Sequence, residues 1–282
     1  MEKKIFAGIQ RHTLFSPNHV GNDAAIFAAV VKNLEAEGHQ VNIYTEQEFM
    51  ARQLEERYLF SMIRSKAAVE RLQKYEDKGC VVVNSGYGIE NCTRERMTHL
   101  LLDGGVPHPK SLFIHTGDDM KEMDLSGFEP CWVKRADFHA IHKEDVSYVR
   151  HAEELKDVLV EYALRGIERV VVNEHLEGDL IKFYGVNGTD FFYWFYPFEA
   201  KHSKFGLEKI NGAPTGILFD LNGLRSICNQ AAEVLKVDVY GGDAIVSAKG
   251  EIRIIDFNDW PSFAPCRKEA GKAIAQAILQ KI

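Results

Sequence analysis

The chain has 282 residues, 45% hydrophobic and 11% aromatic, enough apolar mass to bury a sizeable core in one to three packed units. Its 34 basic residues against 41 acidic ones give a formal net charge of −7, which argues against nucleic acid as a partner because phosphate contacts need a basic surface. The five cysteines, Cys80, Cys92, Cys131, Cys228 and Cys266, form an odd, widely spread set without a CxxC pair, so neither a disulfide framework nor a thiolate zinc site is expected. A reducing cytoplasmic setting fits them. The opening MEKKIFAGIQ lacks a long apolar run, and no later stretch reaches the roughly 18 apolar residues of a membrane helix, so no membrane partner is expected.

Lys4 to Ile9 predicts a short buried strand, Gln10 to Asp23 a polar loop, and Ala24 to Leu34 a helix of small apolar residues that stops at Gly38. Val41 to Tyr44 and Val81 to Val83 predict further strands, the second running into the turn-rich Asn84-Ser85-Gly86-Tyr87-Gly88. Strands that alternate with helices imply a parallel sheet. Between these strands, Glu48 to Lys74 is charged and reads as an exposed amphipathic helical stretch. A helix over Arg94 to Leu102 ends at Gly104-Gly105, and Val106-Pro107-His108-Pro109 cannot continue it.

Beyond that break the chain turns to mixed α and β. Trp132 to Lys134, Val170 to Asn173, Leu180 to Val186 and Phe191 to Tyr196 predict strands, with a charged helix at Ala152 to Leu164. A helix over Leu221 to Leu235 precedes Ala244 to Ser247 and Ile252 to Phe257, which read as a hairpin turning at Lys249-Gly250. Lys268 to Ile282 predicts a terminal helix.

That hairpin carries the strongest chemistry. If its strands pair, Asp243 starts one strand near the place where Asp256 ends the other, and Asp256 and Asn258 share a face at spacing two. Two carboxylates and an amide carbonyl are hard oxygen donors of the kind that magnesium takes alongside water and phosphate. Strand-end acids capping turns would be the plain alternative. Lys134 ends the apolar strand Cys131-Trp132-Val133, where an inward lysine is costly unless it meets an anion. Arg96 could add a second positive charge, or be an ordinary exposed helical arginine. Glu174-His175-Leu176 follows a strand directly, at a position where backbone groups and a carboxylate can read an adenine and its ribose. No GxxxxGK[ST] is present, so a nucleotide would have to be held in another way.

The order Asn84-Ser85, Ile89, Arg94 to Arg96, Gly105-Val106-Pro107-x-Pro109, Lys134, Glu174-x-Leu176, Gly178-Asp179, Lys182, Asp243 and Asp256-Phe257-Asn258-Asp259-Trp260-Pro261 resembles the ATP-grasp superfamily over most of the chain. Within it the C-terminal half is most similar to ribosomal-protein glutamate ligases and glutathione synthetases, and also to inositol trisphosphate kinases. The resemblance implies an α/β fold: an N-terminal parallel α/β unit over 1–92, a central ATP-grasp subdomain over 93–178, and a C-terminal subdomain over 179–282 carrying the metal site. It implies ATP between two antiparallel sheets, with Arg96 and Lys134 on the phosphates, Glu174 and Leu176 at the adenine and Asp179 at the ribose. It likewise places Mg2+, with Mn2+ as the alternative, on Asp243, Asp256 and Asn258. Lys182 matches a basic position that touches the transferred phosphate or the acceptor, and Lys201 and Lys204 fall where further phosphate-contacting bases stand.

Two departures lean towards a kinase. The glycine-rich flap that usually follows Lys134 is replaced here by Arg135-Ala136-Asp137-Phe138-His139-Ala140-Ile141-His142, which leaves backbone amides less free to cradle phosphate. His139 and His142 could donate to an anionic substrate or phosphate, oriented by Asp137, or be solvated loop histidines; no third ligand suggests zinc. The second departure is Asp256, where the ligases mostly carry Glu.

The loop after the first strand lies on the usual ligand side of an open α/β sheet, which makes Arg11, His12 and His19 candidates for the acceptor site. Asn22 or Asp23 could simply cap the next helix. Arg267, with Lys268, could neutralise a substrate carboxylate or begin a solvated helix. Cys266 reads as a packed thiol. The leading expectation is an ATP-dependent carboxylate–amine ligase acting through an acylphosphate on a small-molecule or peptide acceptor, in which His139, Lys182 and Arg267 serve the chemistry. An inositol-phosphate-type kinase and a non-catalytic nucleotide-binding module are the alternatives, and a homodimer is compatible with each.

Overall fold

The computed structural model describes residues 2–16, 20–118, 124–137, 143–198 and 210–282, organised around three four-stranded sheets. The first holds β1 (Ile5–Ile9), β2 (Gln40–Tyr44), β3 (Tyr58–Ser61) and β4 (Val81–Val83) in the order β2-β1-β3-β4, all parallel. This is the expected parallel unit with one strand more. β3 lies inside the stretch expected to be one exposed helical face; instead α2 (Glu46–Ala51) and α3 (Lys66–Asp77) flank it. Only Leu59, Phe60 and the residues just after them are buried there, too few to stand out between two charged helices. Local chemistry still sets the helix starts: Thr45 and Glu48 form a capping box on α2, and the Ser65 hydroxyl caps α3.

α1 (Val20–Ala36) covers one face of this sheet and the last helix, α8 (Arg267–Leu279), returns to pack against it. The contact is close because Gly271 faces Ala29: a Cβ on Gly271 would stand 2.8 Å from the alanine methyl. The turn-rich segment after β4 folds into α4 (Gly86–Asn91), capped by Ser85, and α5 (Arg94–Asp103) follows. Buried Asn84 ties this corner to the third sheet, its amide donating to the Val239 carbonyl at 2.7 Å and accepting from the Asp238 and Val239 amides.

The second sheet has β5 (Ser111–His115), β6 (Cys131–Arg135), β7 (Val146–Val149) and β8 (Arg169–Glu174) in the antiparallel order β5-β8-β6-β7. β5 and β7 were not expected from the sequence. One face, with Ile114, Val133 and Val172, packs on Leu155, Leu159 and Tyr162 of α6 (Ala152–Leu164). The third sheet has β9 (Asp179–Val186), β10 (Phe192–Phe195), β11 (Val239–Val246) and β12 (Ile252–Asp259) in the antiparallel order β10-β9-β11-β12. Its apolar face, including Ile181, Phe183, Ala244 and Phe257, packs on α5 and on α7 (Leu221–Leu235). The two sheets thus each bury one face under a helix and turn the other towards a shared cleft. No helix of the described residues is long and apolar enough to cross a membrane.

Candidate active site

Register builds the floor of the cleft. Lys182 on β9 pairs with Asp243 on β11, and Asp243 with Asp256 on β12, so three charged side chains stand in one row across the sheet. The next row is Tyr184, Gly241 and Asn258. Asp243 lies in the middle of a strand, not at its start as the shorter hairpin expected. Its alignment with Asp256 depends on a β-bulge: Ala244 opposes Ile254 while Asp243 opposes Asp256, which leaves Ile255 as an extra residue. In an unbroken ladder Asp256 would face Gly242.

The bulge also meets the opposite wall. Lys134, on β6 and 7% exposed, donates from Nζ to the Ile255 carbonyl at 3.2 Å. Burial, followed by the charge of Arg94, pulls the Lys134 ammonium down to about 7, against the opposing pull of Asp256 and Asp243. Arg94 donates from Nη1 to Asp256 Oδ1 at 3.2 Å, Lys182 from Nζ to Asp243 Oδ1 at 2.7 Å, and Asn258 from Nδ2 to Asp256 Oδ2 at 3.2 Å. Two carboxylates therefore face three basic side chains, an arrangement that favours a further anion.

These residues line one cleft of about 310 Å³, together with Trp132, Asn173, Glu174, Leu176, Leu180 and Ile245. Glu174 accepts from the Lys110 amide at 2.7 Å and from Arg253 Nη1 at 3.1 Å; the Leu176 carbonyl accepts from Asn211 Nδ2. The same cleft reaches Arg11, Arg64 and Asp23. Arg11 donates to the Met62 and Trp260 carbonyls and to Asp23 Oδ2, and Arg64 to the Asp259 carbonyl and carboxylate, so the two guanidinium groups anchor the chain at the last residue of β12 and the one after it.

Lys134, Glu174, Leu176, Lys182, Asp243, Asp256, Asn258 and Arg11 are thus brought together as expected. Four other expected residues are placed elsewhere. Arg96 is half exposed and bound to Glu90 and Asn91; Arg94, two residues earlier, takes the inward position. Asp179 is buried, and its carboxylate accepts from the Thr215 amide and hydroxyl and the Ile217 amide, bonds that hold it below the usual carboxylate range despite its burial. It ties a loop to the start of β9, and three of its roughly four acceptor sites are taken by that loop, which leaves little for a ribose. His12 caps the short 3₁₀ turn Thr13–Phe15, its Nδ1 accepting from the Leu14 amide. Arg267 donates to Asn22 Oδ1 at 2.9 Å and is not part of the cleft lining. His19, His139, His142, Lys201 and Lys204 lie outside the described residues.

Arg94, Arg64 and Trp132 were missed as site residues. For Arg94 a signal existed: Met97, Thr98 and Leu101 follow at i+3, i+4 and i+7, which puts Arg94 on the buried face of α5 and Arg96 off it.

The residues suit magnesium. Two carboxylates and an amide supply hard oxygen and leave most of an octahedral shell to water and phosphate oxygens. Among the described residues no group of three or more His, Cys, Asp or Glu side chains is gathered that could hold a metal ion without such help.

Neither a protein-family profile nor a curated protein matches the chain. Solved structures do. It is similar to the D-alanine–D-alanine ligase of Bacillus anthracis complexed with ATP, at 13% identity and TM-score 0.72, over 99% of this chain and 97% of that one. It is similar to the ATP-grasp ligase PsnB complexed with a minimal precursor, at 16% identity and TM-score 0.64, over 100% of both chains. A RimK-domain ATP-grasp protein from Sphaerobacter thermophilus matches at 13% identity and TM-score 0.67, over 97% of this chain and 99% of that one. On these full-length likenesses, and on the two antiparallel sheets that face one another across the cleft, the chain has the ATP-grasp fold.

Proposed function

We propose that the protein is an ATP-dependent carboxylate–amine ligase that works through an acylphosphate. The observation that carries this reading is the row Lys182, Asp243, Asp256, which stands across the cleft from Lys134 with Arg94 against one of its carboxylates. ATP lies with its base near Glu174 and Leu176 and its phosphates near Lys134 and Arg94, the role given to Arg96 in the first expectation. Asp243, Asp256 and Asn258 hold magnesium, or manganese in its place. The metal supplies charge neutralisation to the triphosphate.

The chain's own share is positioning and electrostatics. Lys134 carries its proton most stably when an anion is beside it, so triphosphate binding favours its charged form. Lys182 shares a row with Asp243 and can exchange that carboxylate for the transferred phosphate. An acceptor carboxylate oxygen bonds to the γ-phosphorus as the bond to ADP breaks; the amine then bonds to the acyl carbon as phosphate leaves. Arg11, Arg64 and Asp23 line the part of the cleft left for the acceptor, a small molecule or a peptide.

The test follows the oxygen. With acceptor acids labelled with ¹⁸O in the carboxylate, a pool of amines and Mg–ATP, the account expects amine-dependent phosphate release, with one label carried into the phosphate. Transfer of the γ-phosphate into a stable ester would identify the kinase alternative instead, which the neighbouring structures do not support. Binding of ATP without consumption in any pool would leave a nucleotide-binding module.

A further inference from the structure

The cleft-facing side of the second sheet carries an aromatic row that the phosphate and metal chemistry does not use. Trp132 on β6 is flanked in register by Asn173 on β8 and Tyr148 on β7. Two residues along the same strand and on the same face stands Lys134, so the indole sits one step from the buried ammonium. Trp132 lines the cleft, among Leu176, Leu180, Ile245 and Val146. Its indole N–H is committed: Nε1 donates to His175 Nδ1 at 3.0 Å.

His175 is itself held in place. Its amide donates to the Pro130 carbonyl at 3.0 Å, and its ring meets Tyr148 edge-on with centroids 5.2 Å apart. Tyr148 lies 5.0 Å from the Trp132 ring. An Nδ1 that accepts fixes the neutral tautomer with its proton on Nε2, and burial keeps the imidazole below its ordinary value in spite of Glu177. The indole therefore has one defined plane, gripped at its polar edge and along one side, with its remaining surface turned to the cleft. A flat, rigid, apolar surface one strand step from a phosphate-binding lysine fits a heterocyclic base.

We propose that Trp132 is the stacking wall for the base of the bound nucleotide, and that His175 is the positioning residue that sets the angle of that wall through the indole N–H. The inference rests on the nucleotide reading above and deepens it. It assigns base recognition to the pair Trp132–His175 and leaves to Glu174 and Leu176 the edge contacts. Glu174 is held through one oxygen, Oε1, by the Lys110 amide and Arg253, which fixes its carboxylate at the edge of the base site.

A non-hydrolysable ATP analogue tests it without an acceptor. Nucleotide is expected to quench tryptophan emission in the wild type. Trp132→Phe keeps a stacking ring, so it should bind nearly as well and lose the quench. Trp132→Leu should weaken binding about tenfold, the scale of one base–aromatic stack. In turnover, His175→Leu should raise the KM for ATP about threefold with kcat unchanged, and His175→Gln, whose carbonyl can accept the indole N–H, should restore it. If the wild type binds the analogue but Trp132→Leu binds equally well and Trp132→Phe still shows the quench, the inference fails while the nucleotide reading stands. If the wild type binds no nucleotide by calorimetry, both fail.

Discussion

Asp243 and Asp256 stand opposite one another on adjacent strands because Ile255 is an extra residue in β12, and the same bulge residue offers its carbonyl to Lys134 across the cleft. One irregularity therefore sets the carboxylate pair and touches the opposing wall. Asp256→Asn keeps the shape and the acceptor oxygen for Arg94 while removing one charge. Its kcat should fall on the order of a hundredfold or more, with stability changed by no more than about 1 kcal/mol. Steady-state ATP consumption alongside urea denaturation checks both parts.

The bulge depends on a glycine. A Cβ at Gly242 would lie 2.2 Å from the Asp256 carbonyl oxygen and 2.6 Å from the Phe183 ring, and the first of these is backbone that cannot swing aside. Gly242→Ala should cost between about 1 and 3 kcal/mol and spread the carboxylate pair, lowering turnover as well. Gly21→Ala, where a Cβ meets nothing within 4 Å among the described residues, is the control and should lose neither.

Arg94 and Arg96 separate the cleft from the surface. Arg94 is buried against Asp256, whereas Arg96 is half exposed among Glu90 and Asn91. Arg94→Lys, which keeps a charge but shortens the reach, should raise the KM for ATP about tenfold. Arg96→Ala should leave KM within about twofold, since exposed ion pairs contribute little. Steady-state kinetics of the two variants distinguishes them.

His108 makes the fold sensitive to acid. Burial, and next the charge of Lys134, push its ring down to about 3 from an ordinary 6.5. Between those values the unfolded chain binds a proton that the native chain refuses, so stability falls as pH drops through 6.5 towards 3. This histidine's share is up to about 1.4 kcal/mol per pH unit. His108→Leu should flatten the loss between pH 6.5 and 5, measured by urea denaturation across that range.

The convergence of Asp243, Asp256 and Asn258 was legible in the sequence because two acids and an amide at strand spacing need only a hairpin to come together. The bulge was not: Ile255 is one more apolar residue in an apolar strand, and only pairing shows that it has no partner of its own. β3 was hidden because its few buried residues lie between helices whose charges dominate the pattern. Arg94 and Arg96 flank Glu95 and look alike as charges; only the stripe of Met97, Thr98 and Leu101 separates them, by putting Arg94 on the buried face of α5. Asp179 shows the reverse difficulty. Its position beside Gly178 raised the expectation of a ribose contact, yet its carboxylate is held by groups from residues 215–217, a contact no local pattern announces.

The most direct test is manganese binding followed by electron paramagnetic resonance, with and without a non-hydrolysable ATP analogue. The account predicts that the wild type takes up manganese together with the analogue. It also predicts that the doubly substituted Asp243→Asn, Asp256→Asn protein, still folded by circular dichroism, loses at least about tenfold in affinity for the metal–nucleotide pair. Equal uptake by that folded variant would place the metal somewhere other than the row across β9, β11 and β12, and would contradict the account at its base.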